Sequence, residues 1–413
     1  MGRTAYVLRP VLFASMTFHY LYRVSVFEVQ AELVISCYKR LGPFLEQELR
    51  SLGYEPIDVS ESMVRVPGTA TDAMLLNMKL RTASQIMYPL LHFEANDPEQ
   101  VYQALKRYPF ERLLQPEGYF SVSSYVRHPS VDNPMYINMK VKDAVVDRMR
   151  DKTNRRPNTG SDFRGAVLHL YWVGEQATLF ADTSGDTIAR HGYRLHPGKA
   201  PLLESIAAAM LLATDWEPGQ PLMNPMGGVG TLAIEAACMA TQRYPGLYRR
   251  RYAFQHLQGY NETEYIEALL DLEDLVAEVD MPKIVVNDRD TRMLSLALQN
   301  AEKAGVRQYI NTVGGDFREI KIPEMAGWAL LNPEYGERLG EVEQLAGVYA
   351  EIGSWMKHSL PGWKVGIVSG NLDLLGKIGL KADRRIPLYN GRIDSRFCLY
   401  SMYAGSRRGD RSS

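Results

Sequence analysis

The sequence predicts an α/β chain in two parts, an α+β region followed by an open parallel α/β sheet, on three observations. After about residue 196, short apolar runs alternate with helix-patterned stretches, the signature of a parallel sheet with crossover helices. Before that point, strand-like runs cluster around single helices, the order of an antiparallel α+β fold. The 413 residues also exceed what one hydrophobic core usually supports.

Residues 1–27 pose a separate problem. Residues 10–22 are uncharged and apolar behind Arg3 and Arg9, too short to span a bilayer and without an A-x-A-like cleavage site. The expectation is a disordered extension, or a start placed too early with Met16 as an alternative. From there EVQAELVISC (28–37) alternates as a strand, and GPFLEQELRSLGY (42–54) sets Phe44, Leu45, Leu49 and Leu52 on one helical face before Gly53 ends it. A strand at 62–66, a helix at 73–80 and a strand at 85–93 complete a small lobe. A second α+β stretch has strands at 120–126, 166–173 and 176–184 around a helix at 140–152.

Formal charge is −1, from 47 basic and 48 acidic residues, so a polyanion would have to be met by a local patch. Residues 140–164 offer one. Lys140, Lys142, Arg148, Arg150, Lys152, Arg155, Arg156 and Arg164 stand against Asp143, Asp147, Asp151 and Asp162. The alternative is a solvated helix face laced with i,i+4 pairs. Cys37, Cys238 and Cys398 are far apart and, like the scattered histidines, lack zinc-site spacing, so reduced thiols and no structural metal are expected.

The second half begins near Leu195, with domains expected at 28–195 and 196–404 and a disordered tail at 405–413. A helix over 202–213 carries Leu203, Ile206, Ala207 and Met210 on one face, and strands are expected at 221–225, 282–287, 309–315, 327–332 and 363–370. The first strand runs into Asn224-Pro225-Met226-Gly227-Gly228-Val229-Gly230-Thr231, and a helix opens with LAIEAACMA. Glycines at such a turn let a ligand approach the backbone and aim helix N–H groups at it. P-loops, dinucleotide folds and methyltransferases all use one, and the lack of GKS or GKT excludes a nucleoside-triphosphate P-loop.

The next strand ends in Asn287-Asp288-Arg289-Asp290, with Asp290 a helix N-cap and Asp288 placed to hold ribose hydroxyls. Asp288 lies 60 residues after Gly228, where a dinucleotide fold would put its acid about 20 residues on. The insertion YPGLYRRRYAFQHL and an acidic helix fill the gap. Later strands end in Gly314-Gly315-Asp316-Phe317 and in Asn332-Pro333-Glu334-Tyr335, where the Asn-Pro pair taken alone signals only a turn. Four successive strands thus deliver polar groups to one carboxyl edge, the usual ligand edge of an open α/β sheet.

The order NPMGGVGT, NDRD, GGDF, NPEYGERLG resembles the Rossmann-like class I S-adenosylmethionine-dependent methyltransferases that modify exocyclic amines, whose strings are D-P-x-x-G-S-G-T and N-P-P-Y. TSGDTIARHGYRLHPGKAPLLESIAAAML, YPGLYRRRYAF and LYNGRI narrow the likeness to RlmL/RlmK-type THUMP-domain RNA N2-guanine methyltransferases, over roughly residues 29 to 402. The resemblance implies a ferredoxin-like lobe plus a THUMP RNA-binding domain before the methyltransferase domain. It implies S-adenosyl-L-methionine as cofactor and RNA, 23S ribosomal RNA above all, as partner. A cytoplasmic location is expected from the reduced cysteines, with no metal from their spacing and no membrane span from the short apolar stretch.

Carried onto matching positions, it makes the Asn332 side-chain oxygen and the Pro333 carbonyl the acceptors for a flipped guanine amine, with Tyr335 stacking on the base. Gly228 and Gly230 would admit the methionine part of the cofactor, Asp288 the ribose, and Asp316 the adenine amine with Phe317 beside the ring. Asn224, Met226 and Arg289 complete the cofactor set, and Lys140, Lys142, Arg155 and Arg156 are the RNA contacts expected from the basic stretch. Two positions depart from the family strings: Asn224 stands where the family has Asp, and Glu334 where it has a second Pro. The alternatives are tRNA guanine-N2, DNA adenine-N6 or protein glutamine methylation, or a catalytically silent RNA-binding protein.

Overall fold

The computed structural model describes residues 25–197, 202–336 and 339–403, and the side chains of 339–342 lie outside that description. The apolar stretch 10–22, Met16, the tail 405–413, Glu337, Arg338 and residues 198–201 of the HPGKAPL string also lie outside the described residues. Val26 and Phe27 are buried, and the Val26 carbonyl accepts from the Ala70 N–H. By its internal contacts the chain divides into two units, each discontinuous in sequence. The first holds residues up to 36, 49–188 and 250–270; the second holds 37–48, 189–249 and 271 onward.

Burial follows the predicted patterning in the first unit. In β1 (Ala31–Cys37), Leu33 and Ile35 are fully buried. Helix α1 (Gly42–Ser51), whose residues 42–48 fall in the second unit, follows, then β2 (Asp58–Val59) and β3 (Met63–Gly68), which pairs antiparallel with β1. Helix α2 (Ala70–Lys79) begins three residues before its sequence-based start. Thr69 and Asp72 close a reciprocal capping box there, satisfying two otherwise orphaned N–H groups. Strand β4 (Ala83–Glu94) leads to α3 (Pro98–Arg107), a helix not among the sequence-based expectations although Asp97-Pro98 caps its start and Val101 and Leu105 are buried at i,i+4.

Then come β5 (Tyr119–Arg127), α4 (Pro134–Thr153), β6 (Asn158–Gly160), β7 (Ala166–Val173) and β8 (Gln176–Asp182). Helix α4 buries Ile137, Val141, Val145 and Met149 at helical spacing. The two sequence-predicted lobes share one eight-stranded sheet, in the order β2-β3-β1-β4-β8-β7-β5-β6. The seam is the antiparallel β4–β8 pair, whose register shifts between Pro89 and Leu91, where proline has no N–H for the ladder.

The second unit contains α5 (Glu204–Leu212), β9 (Leu222–Asn224), α6 (Thr231–Ala240), β10 (Ile284–Asp288) and α8 (Thr291–Lys303), with α7 (Glu262–Asp274) straddling the two units. It continues through β11 (Ile310–Gly314), β12 (Trp328–Leu331), α9 (Leu339–Ser359), β13 (Lys364–Ser369), α10 (Leu372–Lys377), β14 (Arg384–Asn390) and β15 (Ile393–Ser401). The sheet order is β11-β10-β9-β12-β13-β15-β14. Its first five strands are parallel, as expected, but β15 runs antiparallel to both β13 and β14. Only two residues, Gly391 and Arg392, join β14 to β15, and a link that short can connect only antiparallel strands.

Tyr349, Ile352, Trp355 and Met356 of α9 pack with Leu331, Val365 and Ile367 in the core beneath this sheet. The chain leaves β9 for β10 on one side and returns to β12 on the other, so β9/β12 is the topological switch point. Ligands of open α/β sheets sit at the carboxyl ends of strands there. Among the described residues, no helix is long and apolar enough to cross a membrane.

Candidate active site

The turn after β9 is tight and close-packed. Met226 and Gly228 both have φ of 55°, and the left-handed region is costly for a side-chain-bearing residue such as Met226. A Cβ on Gly227 would lie 2.8 Å from the Asn224 carbonyl oxygen, Asn224 Oδ1 and Val286 Cγ1, so that position admits only glycine without movement. Gly228 has open space where a Cβ would stand. The turn is fastened to β10: the Gly227 N–H donates to the Asn287 carbonyl (2.8 Å) and the Gly228 N–H to Asp288 Oδ2 (2.9 Å). Asp288 Oδ1 accepts from the Asp290 N–H (2.9 Å), which fixes the carboxylate at the strand end.

Asn224 is 2% exposed, and its Nδ2 donates to the Leu330 carbonyl of β12 at 2.8 Å, across the switch point. That bond leaves Oδ1 buried with no hydrogen-bond partner among the described residues. Asn332, just past the end of β12, likewise has a buried Oδ1 with no such partner. A buried amide oxygen without a partner costs about 1–3 kcal/mol, so two of them at adjacent strand ends mark a place built to accept hydrogen bonds. Neighbouring Pro333 is buried, Glu334 exposed and Tyr335 half-buried, its Oη accepting from Asn390 Nδ2 at 3.2 Å.

Asp316 caps the short turn after β11. Its carboxylate pairs with Arg318 (2.9 Å) and with Arg289, whose side chain is 61% exposed. The Arg318 hydrogen bond, helped by Arg289, holds the Asp316 carboxyl well below the usual range. Phe317 is 1% exposed and meets the Trp355 ring edge-on at 5.4 Å, so its side chain belongs to the core under the edge. The structure thus gathers Asn224, Met226, Gly228, Gly230, Asp288, Asp316 and Asn332 at one edge of the second sheet.

Three positioning residues escaped the sequence reading. Arg194 of the HGYR string donates to Thr231 Oγ1 (3.0 Å) and the Leu202 carbonyl (2.6 Å) and pairs with Glu204, bracing the start of α6. Asn287 Nδ2 reaches the Val313 and Gly315 carbonyls, tying β10 to the turn that carries Asp316. Asn390 holds Tyr335. All three stand in strings named in the sequence, around Arg194, in NDRD and in LYNGRI, with no role attached.

The basic stretch of the first unit is largely paired. Lys140 meets Glu99 (3.1 Å), Arg148 meets Glu111 (2.5 Å) and Arg155 meets Glu117 (2.9 Å), while Lys142 donates to the Gly160 carbonyl (3.2 Å). Arg156 is exposed.

A family model described as the RMKL-like methyltransferase domain matches residues 191–398, one for the RlmL ferredoxin-like domain matches 32–87, and one for the THUMP domain matches 95–182. The ribosomal RNA large subunit methyltransferase K/L of Syntrophotalea carbinolica is 33% identical over 376 residues, covering 88% of this chain and 52% of its own. The chain therefore spans about half the length of such curated relatives. SMU.472, a protein assigned as a methyltransferase and solved with S-adenosylhomocysteine, superposes with a TM-score of 0.82 at 25% identity over 91% of this chain and 99% of its own. A predicted N6-adenine-specific DNA methylase from Listeria monocytogenes superposes with a TM-score of 0.81 at 28% identity, over 91% of this chain and 97% of its own.

Proposed function

The chain belongs to the RMKL-like methyltransferases, with an RlmL-type ferredoxin-like domain and a THUMP domain ahead of the methyltransferase domain, and from that premise we propose that it methylates the exocyclic N2 amine of a guanine in structured RNA, 23S ribosomal RNA foremost. The observation that carries this reading is the pair of buried, unpartnered amide oxygens, Asn224 Oδ1 and Asn332 Oδ1, at the ends of the two strands that flank the switch point. Both are acceptors, and both parties to the reaction offer N–H donors.

S-adenosylmethionine, when bound, supplies an electrophilic methyl group on its sulfonium. Its methionine part suits the open side of Gly228, with Asn224 Oδ1 accepting from the amino group, and its ribose hydroxyls suit Asp288. Asp316 with Arg289 would border the adenine. A guanine amine is a poor nucleophile because its lone pair is delocalised into the ring. Asn332 Oδ1 and the Pro333 carbonyl, accepting its two N–H groups, localise that pair and aim it, while Tyr335 supports the extruded base. Asn390 orients Tyr335 through its hydroxyl. Lys140, Lys142, Arg155 and Arg156 are retained as RNA contacts, 28–195 and 196–404 as the two functional parts, and the cytoplasm as the location.

The test is mass mapping of modified nucleotides in ribosomal and transfer RNA from cells with and without the gene. Loss of one N2-methylguanosine from 23S RNA is expected. Loss from transfer RNA instead would move the substrate, and no loss from any RNA would overturn the reading. Exocyclic-amine chemistry also serves adenine in DNA, the activity in the name of the Listeria protein, so purified chain should transfer methyl groups to RNA and leave duplex DNA unmodified.

A further inference from the structure

One face of the first unit's sheet offers chemistry that the basic helix does not. Side chains alternate between sheet faces, and in β7 Leu168, Leu170 and Trp172 are fully buried on one face. On the other, Tyr171 stands directly across from Tyr125 of β5, and their rings stack at 5.3 Å between centroids with planes 11° apart. The Arg127 guanidinium lies 5.3 Å from the Tyr125 ring centre. Strand β6 covers β5 only from Tyr119 to Ser121, so at Tyr125 strand β5 is the sheet edge among the described residues. Tyr125 is 40% exposed there.

The flanking side chains on this face are mixed, with Val173 opposite Arg127 and buried Phe180 opposite His169, and several are polar. Thr178 is opposite Tyr171 and Oγ1 is 2.9 Å from His92 Nδ1, while Ser123 Oγ is 2.8 Å from His169 Nδ1. The acids nearby are engaged or distant: Glu94 accepts from Gln176 (3.0 Å), and Asp182 is buried and accepts from Gln85. The face is thus an aromatic pair with a cation beside it, hydrogen-bonding groups around it, and Val173 and the buried Phe180 as apolar neighbours along the paired strands. A greasy partner helix would find little there, and a duplex offers its bases only edge-on.

We infer that Tyr125, with Tyr171 and Arg127, is a stacking site for an unpaired base of RNA, a contact additional to the methyl-acceptor pocket. An unstacked base gains a π-face and, from Arg127, a cation for its phosphate or its ring. Stacking is a contact of a different kind from the one Lys140 and Arg155 could make to phosphates, since their pairs with acids are exposed surface pairs. The inference rests on the RNA-directed reading above.

It is tested on the full chain by fluorescence anisotropy with a labelled ten-nucleotide oligoadenylate and a ten-base-pair RNA duplex. Tyr125→Ala is expected to weaken oligoadenylate binding by about five-fold or more and leave duplex binding unchanged, with Tyr125→Phe within about two-fold of wild type because the ring is what matters. Tyr171→Ala should weaken it in the same direction, and thermal melts of each variant would separate binding loss from misfolding. Unchanged binding by Tyr125→Ala, an equal loss in Tyr125→Phe, or equal losses on single strand and duplex would each overturn the inference. Methyl transfer assayed on the same samples separates the two readings. Transfer without ring-dependent binding sinks only this site, and ring-dependent binding without transfer to any RNA sinks only the enzymatic reading.

Discussion

Asn224→Asp restores the acid of the family string, and the structure says it should lower stability while raising affinity for the cofactor. Asn224 Nδ2 donates to the Leu330 carbonyl at 2.8 Å in a site 2% exposed. A carboxylate has no donor there, so the substitution turns an attraction into two facing oxygens and leaves a buried carbonyl unsatisfied. Losing such a bond costs about 1–3 kcal/mol, with the desolvated charge adding to it. In a domain of roughly 200 residues each kcal/mol moves the melting midpoint by about 2–4 °C, so a drop on the order of 2–12 °C is expected without ligand. Binding the cofactor's ammonium group reverses the balance, because the buried charge gains its counter-ion. Differential scanning fluorimetry with and without S-adenosylhomocysteine reads both effects. The variant should melt lower alone and show a larger ligand-induced rise than wild type. A variant as stable as wild type without ligand, or one with a smaller rise, would refute the role given to the Asn224 amide.

Asn332→Ala should cut methyl transfer by about 10²–10³-fold, the usual cost of one oriented catalytic group, while calorimetry shows S-adenosylhomocysteine binding little changed; full activity would remove Asn332 from the mechanism. Gly227→Ala forces a Cβ against the Asn224 backbone and Val286 at 2.8 Å, so it should destabilise the second unit by about 1–3 kcal/mol and weaken cofactor binding. Unaltered calorimetric affinity would show that the turn can shift without consequence. Burial pushes His169 down to about 4, so the unfolded chain takes up its proton first as pH falls. His169 therefore costs stability progressively between about pH 6.5 and 4, and wild type should lose stability relative to His169→Gln across that window. A difference in melting midpoint that stays constant with pH would contradict this.

The fold class was legible because it depends on local patterning. Apolar runs at 282–287 and 363–370 become β10 and β13, and LAIEAACMA becomes α6, since strand and helix periods are written residue by residue. Polar residues at strand ends were legible for the same reason, which is why Asn224, Asp288, Asp316 and Asn332 could be named together. Helix α3 was legible but passed over: Asp97-Pro98 marks its start, and Val101 and Leu105 form a short apolar stripe at i,i+4. The β14–β15 hairpin was missed because neither strand shows a clean alternation: β14 is mostly exposed or half-buried, and β15 ends in the continuous buried run 397–400. The basic stretch looked freer than it is: Glu99, Glu111 and Glu117, which pair with it, are distant in sequence.

The sequence by itself determined which strands end in which chemistry, and in what order along the chain. Only the tertiary structure decided which of those ends are neighbours. Strand adjacency rests on hydrogen bonds between residues far apart, such as β9 with both β10 and β12, and no local periodicity encodes it. That adjacency lets the Asn224 amide spend its N–H on Leu330 and leaves its oxygen buried without a partner, with the Asn332 oxygen in the same condition one strand away. A missing hydrogen bond is a property of everything around an atom, so it could be seen only once the chain had folded around it.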